Sequence, residues 1–195
     1  MQAARGASLN PSADAHPDST AGASRYRRVF VGVFLLAYAV DLLSKIVAVD
    51  RLSGRADIEL VGEWLQLHLT RNPGAAFSTA ETLTPVLSLF AIAASGIVVW
   101  SARRLGTTAW AVSLGLLLAG IAGNLTDRLF RAPGPLHGHV VDFLMLPNWP
   151  VFNIADLCIN AGAVLIVVNA ARGISLDGTG APSRRDRAAA EEPET

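Results

Sequence analysis

Ile121-Ala122-Gly123-Asn124-Leu125-Thr126-Asp127-Arg128 closes an apolar run that begins at Thr108. An amide, a carboxylate and a guanidinium follow in quick succession at the mouth of a hydrophobic helix. Unpaired polar groups are costly there, so a functional site is the default reading. A second segment answers it downstream: Phe152-Asn153-Ile154-Ala155-Asp156 opens the next apolar run. Asn124/Asp127 and Asn153/Asp156 share the spacing i, i+3, which sets amide and carboxylate on one face of each helix.

Working outward, three runs besides Thr108–Gly123 are long and apolar: Val29 to Val49, Pro85 to Trp100 and Asp156 to Ala171. With a few flanking residues each approaches the roughly 17–25 residues that a helix needs to cross a bilayer. Only helices or closed barrels satisfy backbone groups in lipid, and unbroken apolar runs lack the alternation of a barrel. Arg25, Arg27 and Arg28 before the first run resemble the flank of a signal peptide. That run is of spanning length and is followed by no small-x-small cleavage site, so it reads as a retained helix. The expected fold is an all-α membrane protein with a small β part: four transmembrane helices plus a small extracytoplasmic β-sheet. Residues 29–172 would form the helical domain, flanked by disordered cytoplasmic tails at 1–28 and 173–195.

The chain has 195 residues, 51% of them hydrophobic, and zero formal net charge. That balance gives no electrostatic argument for nucleic acid. A single cysteine, Cys158, excludes an intramolecular disulfide. Basic residues set the orientation. Arg25, Arg27, Arg28, Arg103, Arg104, Arg172, Arg184, Arg185 and Arg187 fall on the side of the termini. Arg51, Arg55, Arg71, Arg128 and Arg131, with Lys45 at a helix end, fall on the other. The excess puts both termini in the cytoplasm of a cell-membrane protein, and the loops 50–84 and 128–151 outside. Asp41, Lys45, Asp127 and Asp156 then converge near the outer interface.

Between the runs, Leu65, Leu67 and Leu69 alternate with Gln66, His68 and Thr70, the period of a half-buried strand. It leads into Arg71-Asn72-Pro73-Gly74-Ala75-Ala76-Phe77, a turn where backbone can approach a ligand closely. His139 to Leu146 reads as a second strand, with Asp142 in polar surroundings. Gly115, Ala119 and Gly123 recur at i, i+4 and i+8 and predict close helix packing.

Two carboxylates that share a site cannot comfortably both ionise. One can then deprotonate water while the other, protonated, donates to a scissile carbonyl. Asp127 and Asp156 are the expected pair. The competing structural reading has Asp127 paired with a cation and Asp156 capping its helix. Asn124 and Asn153 would orient the acids or the substrate, Asp41 and Lys45 form an i, i+4 ion pair, and Arg128 clamps a headgroup or reaches the interface. His137, His139 and Asp142 lack a third firmly placed ligand, so no metal or other cofactor is expected. The rival class is a small proton-coupled transporter or channel using Asp41, Asp127 and Asp156 as a relay. A relay would spread its acids through the depth of the membrane.

Five motifs in order carry a family resemblance: Asp41-x-x-Ser44-Lys45, Asn72-x-Gly74-x-Ala76-Phe77, Gly120-x-x-Gly123-Asn124-x-x-Asp127-Arg128, Val140-Val141-Asp142-Phe143 and Phe152-Asn153-x-Ala155-Asp156. Together they resemble lipoprotein signal peptidase (signal peptidase II) over Phe30 to Ala171. The insertion Phe130-Arg131-Ala132-Pro133-Gly134 is similar to the actinobacterial branch. Leu42 and Ala119 depart mildly from the common pattern. The resemblance implies an intramembrane aspartic endopeptidase that cuts lipid-modified prolipoproteins just before the diacylglyceryl cysteine. It needs no metal, works among membrane lipids and is blocked by a globomycin-type inhibitor. It also implies Asp127 and Asp156 as the catalytic pair, with Asn72, Asn124, Arg128 and Asn153 shaping the site and Asp41 supporting it; Lys45, Gly74 and Asp142 share its motifs.

Overall fold

In lipid an apolar segment has to satisfy its own backbone, and a helix does so within one stretch. The computed structural model describes residues 18–74 and 83–179, with side chains from residue 24. The tail expected before residue 18, Ala75-Ala76-Phe77 of the turn and the tail beyond residue 179 lie outside the described residues. Four helices are long and apolar enough to cross a membrane: α1 (Asp18–Leu52), α2 (Thr84–Ser101), α3 (Thr108–Phe130) and α4 (Ile154–Ala171). Three strands, β1 (Ile58–Val61), β2 (Leu65–Asn72) and β3 (Val140–Met145), complete the fold.

Two helices run past their apolar stretches. α1 starts at Asp18, ahead of Val29, and no proline interrupts it. α3 continues through Asn124, Asp127 and Arg128, since those side chains find partners within the protein rather than ending the helix in lipid. At the opposite end of the bundle, Gly173–Thr179 departs from the free tail expected there. Gly106 N donates to Leu176 O at 2.8 Å, Trp110 Nε1 donates to Ile174 O at 2.7 Å, and Leu176 packs on a core cluster of Phe30, Val98, Leu105, Ala111 and Leu118.

α3 is the hub, and small residues let its neighbours in. A Cβ on Gly115 would meet Phe30 O at 3.0 Å, and one on Gly123 would collide with the Asp41 carboxylate, so the expected small-residue stripe faces α1. Gly120 faces α4, where a Cβ would run into Ala155 O and Ile159; Gly162 of α4 returns the contact against Ser113 O and Leu117 N. Without a hydrophobic drive between helices in lipid, such backbone approach is the principal source of association. The outer faces stay apolar and exposed, as at Leu36, Phe90, Val164 and Val167.

The strands form one antiparallel sheet in the order β1-β2-β3. β2 and β3 coincide with the strands read from sequence, while β1, too short to show a period, was not anticipated. Ala48 and Leu52 of α1 pack against Val141, Phe143, Leu67 and Leu69, which seats the sheet on one end of the bundle. Thr70 pairs with Asp142 across β2 and β3. Asn72, two residues on, therefore shares a face with Asp142.

Gly120→Leu should lower stability by about 1–3 kcal/mol through overpacking at the α3–α4 contact. Gly96→Leu, where a Cβ meets nothing within 4 Å, should leave it nearly unchanged. Thermal unfolding of both variants in detergent checks this; equal losses would show that Gly120 is not a packing contact.

Candidate active site

The polar groups gather at the sheet-bearing end of the bundle, and a buried ammonium organises them. Lys45 is fully buried. Its Nζ lies 2.9 Å from Asp41 Oδ2, 3.1 Å from Asp127 Oδ2 and 3.0 Å from Asn124 Oδ1. Asn124 Oδ1 accepts a hydrogen bond from the ammonium, and the two carboxylates offset its charge. Asp41 Oδ1 in turn accepts from Ala155 N of α4 at 2.8 Å. The i, i+4 pair expected between Asp41 and Lys45 is present, and it reaches α3 and α4 as well.

Asp127 is engaged on both oxygens. Oδ1 accepts from Arg131 Nε, and Oδ2 accepts from Val141 N of β3 at 3.1 Å as well as facing Lys45. Its side chain is 2% exposed. It therefore ties α1, α3 and β3 together, with two cations on one carboxylate. Arg131 escaped the sequence reading, although its i, i+4 spacing from Asp127 was a signal that could have found it.

Asp156 opens α4 in a capping box. Asn153 Oδ1 accepts from Asp156 N, and Asp156 Oδ2 accepts from Asn153 N, each at 3.1 Å. Asp156 Oδ1 accepts from Asn124 Nδ2 at 2.9 Å. The repeated Asn-x-x-Asp pattern thus yields two different functions: Asn153 caps its own Asp, whereas Asn124 reaches across to the Asp of the other segment.

Asp142 joins this group from β3. Its Oδ1 accepts from Asn153 Nδ2 at 2.6 Å and its Oδ2 from Asn72 Nδ2 at 2.9 Å. Asn72 Oδ1 accepts from Gly74 N at 2.8 Å, so the glycine at φ +117 sets the amide that holds Asp142. That φ is one that side chains rarely adopt. Asn153 consequently grips both neighbouring acids, Asp142 through its side-chain amide and Asp156 through its backbone N–H. Asn153 Nδ2 also lies 3.1 Å from Asn124 Oδ1, closing a ring of amides around the acids.

Asp142 and Asp156 line one cavity of about 530 Å³ with Asn72, Leu146, Trp149, Phe152, Leu157 and Asn160. Asp127 is not among its lining residues. The structure thus brings Asp142, rather than Asp127, to the cavity that Asp156 lines, and no hydrogen bond joins Asp127 to Asp156 among the described residues. The polar surroundings expected for Asp142 are two amides in an otherwise buried place. Burial pushes the Asp142 carboxyl up to about 6, with the nearby Asp156 charge adding to it, while the Asn72 and Asn153 hydrogen bonds and Lys45 oppose it. Arg128 lies on the other flank, half-buried, with Nη1 3.4 Å from Pro73 O; with Asn124 it heads an apolar cavity of about 480 Å³ between α2, α3 and α4. All these acids sit at one end of the bundle, unlike the depth-spanning relay of a proton pathway.

Residues 33–172 match the family model described as signal peptidase (SPase) II. Relatives named lipoprotein signal peptidase include one from Streptomyces griseus, 42% identical over 83% of this chain and 84% of the relative. Another, from Mycobacterium avium, is 44% identical over 84% of this chain and 90% of the relative. A solved structure described as a bacterial membrane enzyme superposes with a TM-score of 0.64 at 24% identity, covering 72% of this chain and 91% of its own. A second such structure gives 0.60 at 22% identity, covering 79% and 94%. These likenesses and the four apolar helices make the chain a multi-pass membrane protein.

Asp142 should titrate near pH 6, read from its side-chain carboxyl signal by isotope-edited infrared or NMR spectroscopy. The folded chain holds this proton more tightly than the unfolded one, where the group titrates near 3.8. Asp142 therefore contributes stability that is fully present below about pH 4 and is lost as pH rises through about 6. Asp156→Asn should move the midpoint downward, because it removes a neighbouring negative charge; an unmoved midpoint would separate the two acids.

Proposed function

The chain belongs to the signal peptidase II family, and we propose that it is an intramembrane aspartic endopeptidase acting through Asp142 and Asp156. Its substrates are prolipoproteins carrying a diacylglyceryl-modified cysteine, and the cut falls just before that cysteine. The observation that carries the residue assignment is the shared grip of Asn153 on both acids, at the wall of a single cavity. This revises the pair read from sequence: Asp127 becomes a positioning residue, since its oxygens are held by Lys45, Arg131 and Val141 N.

The reaction follows from the two environments. Asp156 accepts hydrogen bonds from Asn124 Nδ2 and Asn153 N. With these donors holding its carboxyl in place at the cavity wall, Asp156 takes the role of base. Asp142, whose carboxyl is pushed up towards neutral pH, carries the proton of the pair once substrate covers the cavity. Asp156 removes a proton from water, and the water oxygen bonds to the scissile carbonyl carbon. Asp142 donates to the carbonyl oxygen as it becomes tetrahedral. When the C–N bond breaks, the proton held by Asp156 passes to the departing amine of the cysteine, and the proton on the former carbonyl oxygen returns to Asp142. One water is consumed, giving a carboxyl end on the signal peptide and a free amino end on the lipoprotein.

With Asp142 protonated, the carboxylates Asp41, Asp127 and Asp156 balance the cations Lys45, Arg128 and Arg131. A neutral cluster is the least costly charge state beside lipid. Excess Arg on the side of the termini supports a cytoplasmic location for both ends. The acids then face the outer leaflet, where a lipid-anchored substrate arrives by lateral diffusion and water is at hand. Arg128, at the head of the apolar cavity, fits the polar linkage of such a substrate, and an inhibitor of the globomycin type would compete for the same cleft.

Purified Asp142→Asn and Asp156→Asn should each lose at least about 100-fold in kcat on a synthetic lipidated precursor, as removal of a general acid or base does, while unfolding no earlier than the wild type. Asp127→Asn should lower the unfolding temperature instead, because breaking a buried pair leaves an uncompensated charge worth about 3–5 kcal/mol. Processing by Asp142→Asn at the normal rate would reject the assignment.

A further inference from the structure

Asparagine is expensive in a membrane-spanning helix, and this chain settles nearly every such amide on a protein partner. Asn124 bonds to Asp156 and Lys45, and Asn169, buried deeper on α4, donates to Ser113 Oγ at 3.0 Å. Asn160 is different. It is exposed on α4, and no described residue hydrogen-bonds its side chain. It stands in a stripe with Leu157 and Val164, three residues before and four after, both exposed and apolar. Lipid tails offer that amide nothing, and an unpaired amide in an apolar setting costs roughly 1–3 kcal/mol or more.

The position narrows what could satisfy it. Asn160 lines the same cavity as Asp142 and Asp156. It lies four residues beyond Asp156, about 6 Å along the helix towards the membrane interior. The ligand group it meets must therefore sit roughly one helical turn from the scissile bond, on the lipid side. In a precursor whose cysteine sulfur bears a diacylglyceryl group, the ester carbonyls come a few bonds past the thioether, at that depth. They are acceptors without a proton to give. Ionised Asp156 cannot donate to them, whereas Asn160 Nδ2 can. Val151, Phe152 and Leu157, which line the same cavity, supply apolar wall for the first methylenes of the acyl chains.

Resting on the function proposed above, we propose that Asn160 Nδ2 donates a hydrogen bond to an ester carbonyl of the substrate's diacylglyceryl group. It is a specificity residue for the lipid part of the substrate, apart from the acids that cut the peptide bond. An ester-bearing precursor is favoured over one whose chains are ether-linked, because the ether lacks the carbonyl that the amide needs.

The test uses the full-length protein in lipid nanodiscs and two synthetic precursor peptides, one diacylglyceryl and one dialkylglyceryl ether. One hydrogen bond of ordinary strength corresponds to about 3- to 10-fold in kcat/KM. The wild type should prefer the ester by that factor. Asn160→Leu should lose the preference by slowing on the ester alone, with its rate on the ether and its unfolding temperature unchanged; Asn160→Ala repeats the measurement should the leucine variant fold poorly. Equal slowing of both precursors, or an undiminished ester preference, would overturn the role of Asn160 and leave the peptidase reading standing. A wild type that cleaves neither precursor would overturn that reading, and this inference with it.

Discussion

A lysine ammonium buried at the end of a membrane bundle is the constraint on which the rest of this structure depends. Lys45 is fully buried, so it is tolerable only with its charge met by nearby anions or amide oxygens. Asp41, Asn124 and Asp127 meet that demand from two helices. Each partner then reaches further: Asp41 to the first turn of α4, Asp127 to β3, and Asn124 to Asp156. One cation thereby fixes where the fourth helix starts, where the sheet docks and where the Asp156 carboxyl points. Removing any arm would leave charge without a partner in a place that water reaches poorly.

The close helix packing serves the same end. Gly123 leaves room for the Asp41 carboxylate, and Gly120 lets α4 approach until Ala155 lies against α3. Larger side chains there would move Asp41 away from Ala155 N and Asn124 away from Asp156. The sheet adds the remaining acid, because the β2–β3 register carries Asn72 to the same face as Asp142. Helices supply Asp156 and its donors, strands supply Asp142, and Asn153 at the junction holds both.

Much of this was legible in the sequence, for reasons that also explain why Asp142 was not paired with Asp156 there. Unbroken apolar runs admit one solution in lipid, so four helices followed directly, as did β2 and β3 from alternation and motif. The short β1 has no periodic signal of its own. α3 carries Asn124 and Asp127 on its last turns, as their i, i+3 spacing implied, and partners on α1, α4 and the turn before α2 hold its end in place. Asp127 was read as reactive because Asn-x-x-Asp occurs twice and helical spacing is easy to see. Which acid is already neutralised depends on Lys45, far away in sequence, and on Arg131. Asp142 lies on a strand with no helical partner spacing, so its meeting with Asp156 emerges only when the sheet docks.

On the proposed function, Asp142 and Asp156, rather than Asp127 and Asp156, embrace the reacting carbonyl. The most direct measurement is a crystal structure of the protein bound to a precursor-like peptide with a secondary hydroxyl in place of that carbonyl. The hydroxyl should lie within hydrogen-bonding distance of both Asp142 and Asp156, with Asp127 still held by Lys45 and Arg131. A hydroxyl seated between Asp127 and Asp156, with Lys45 displaced, would contradict it.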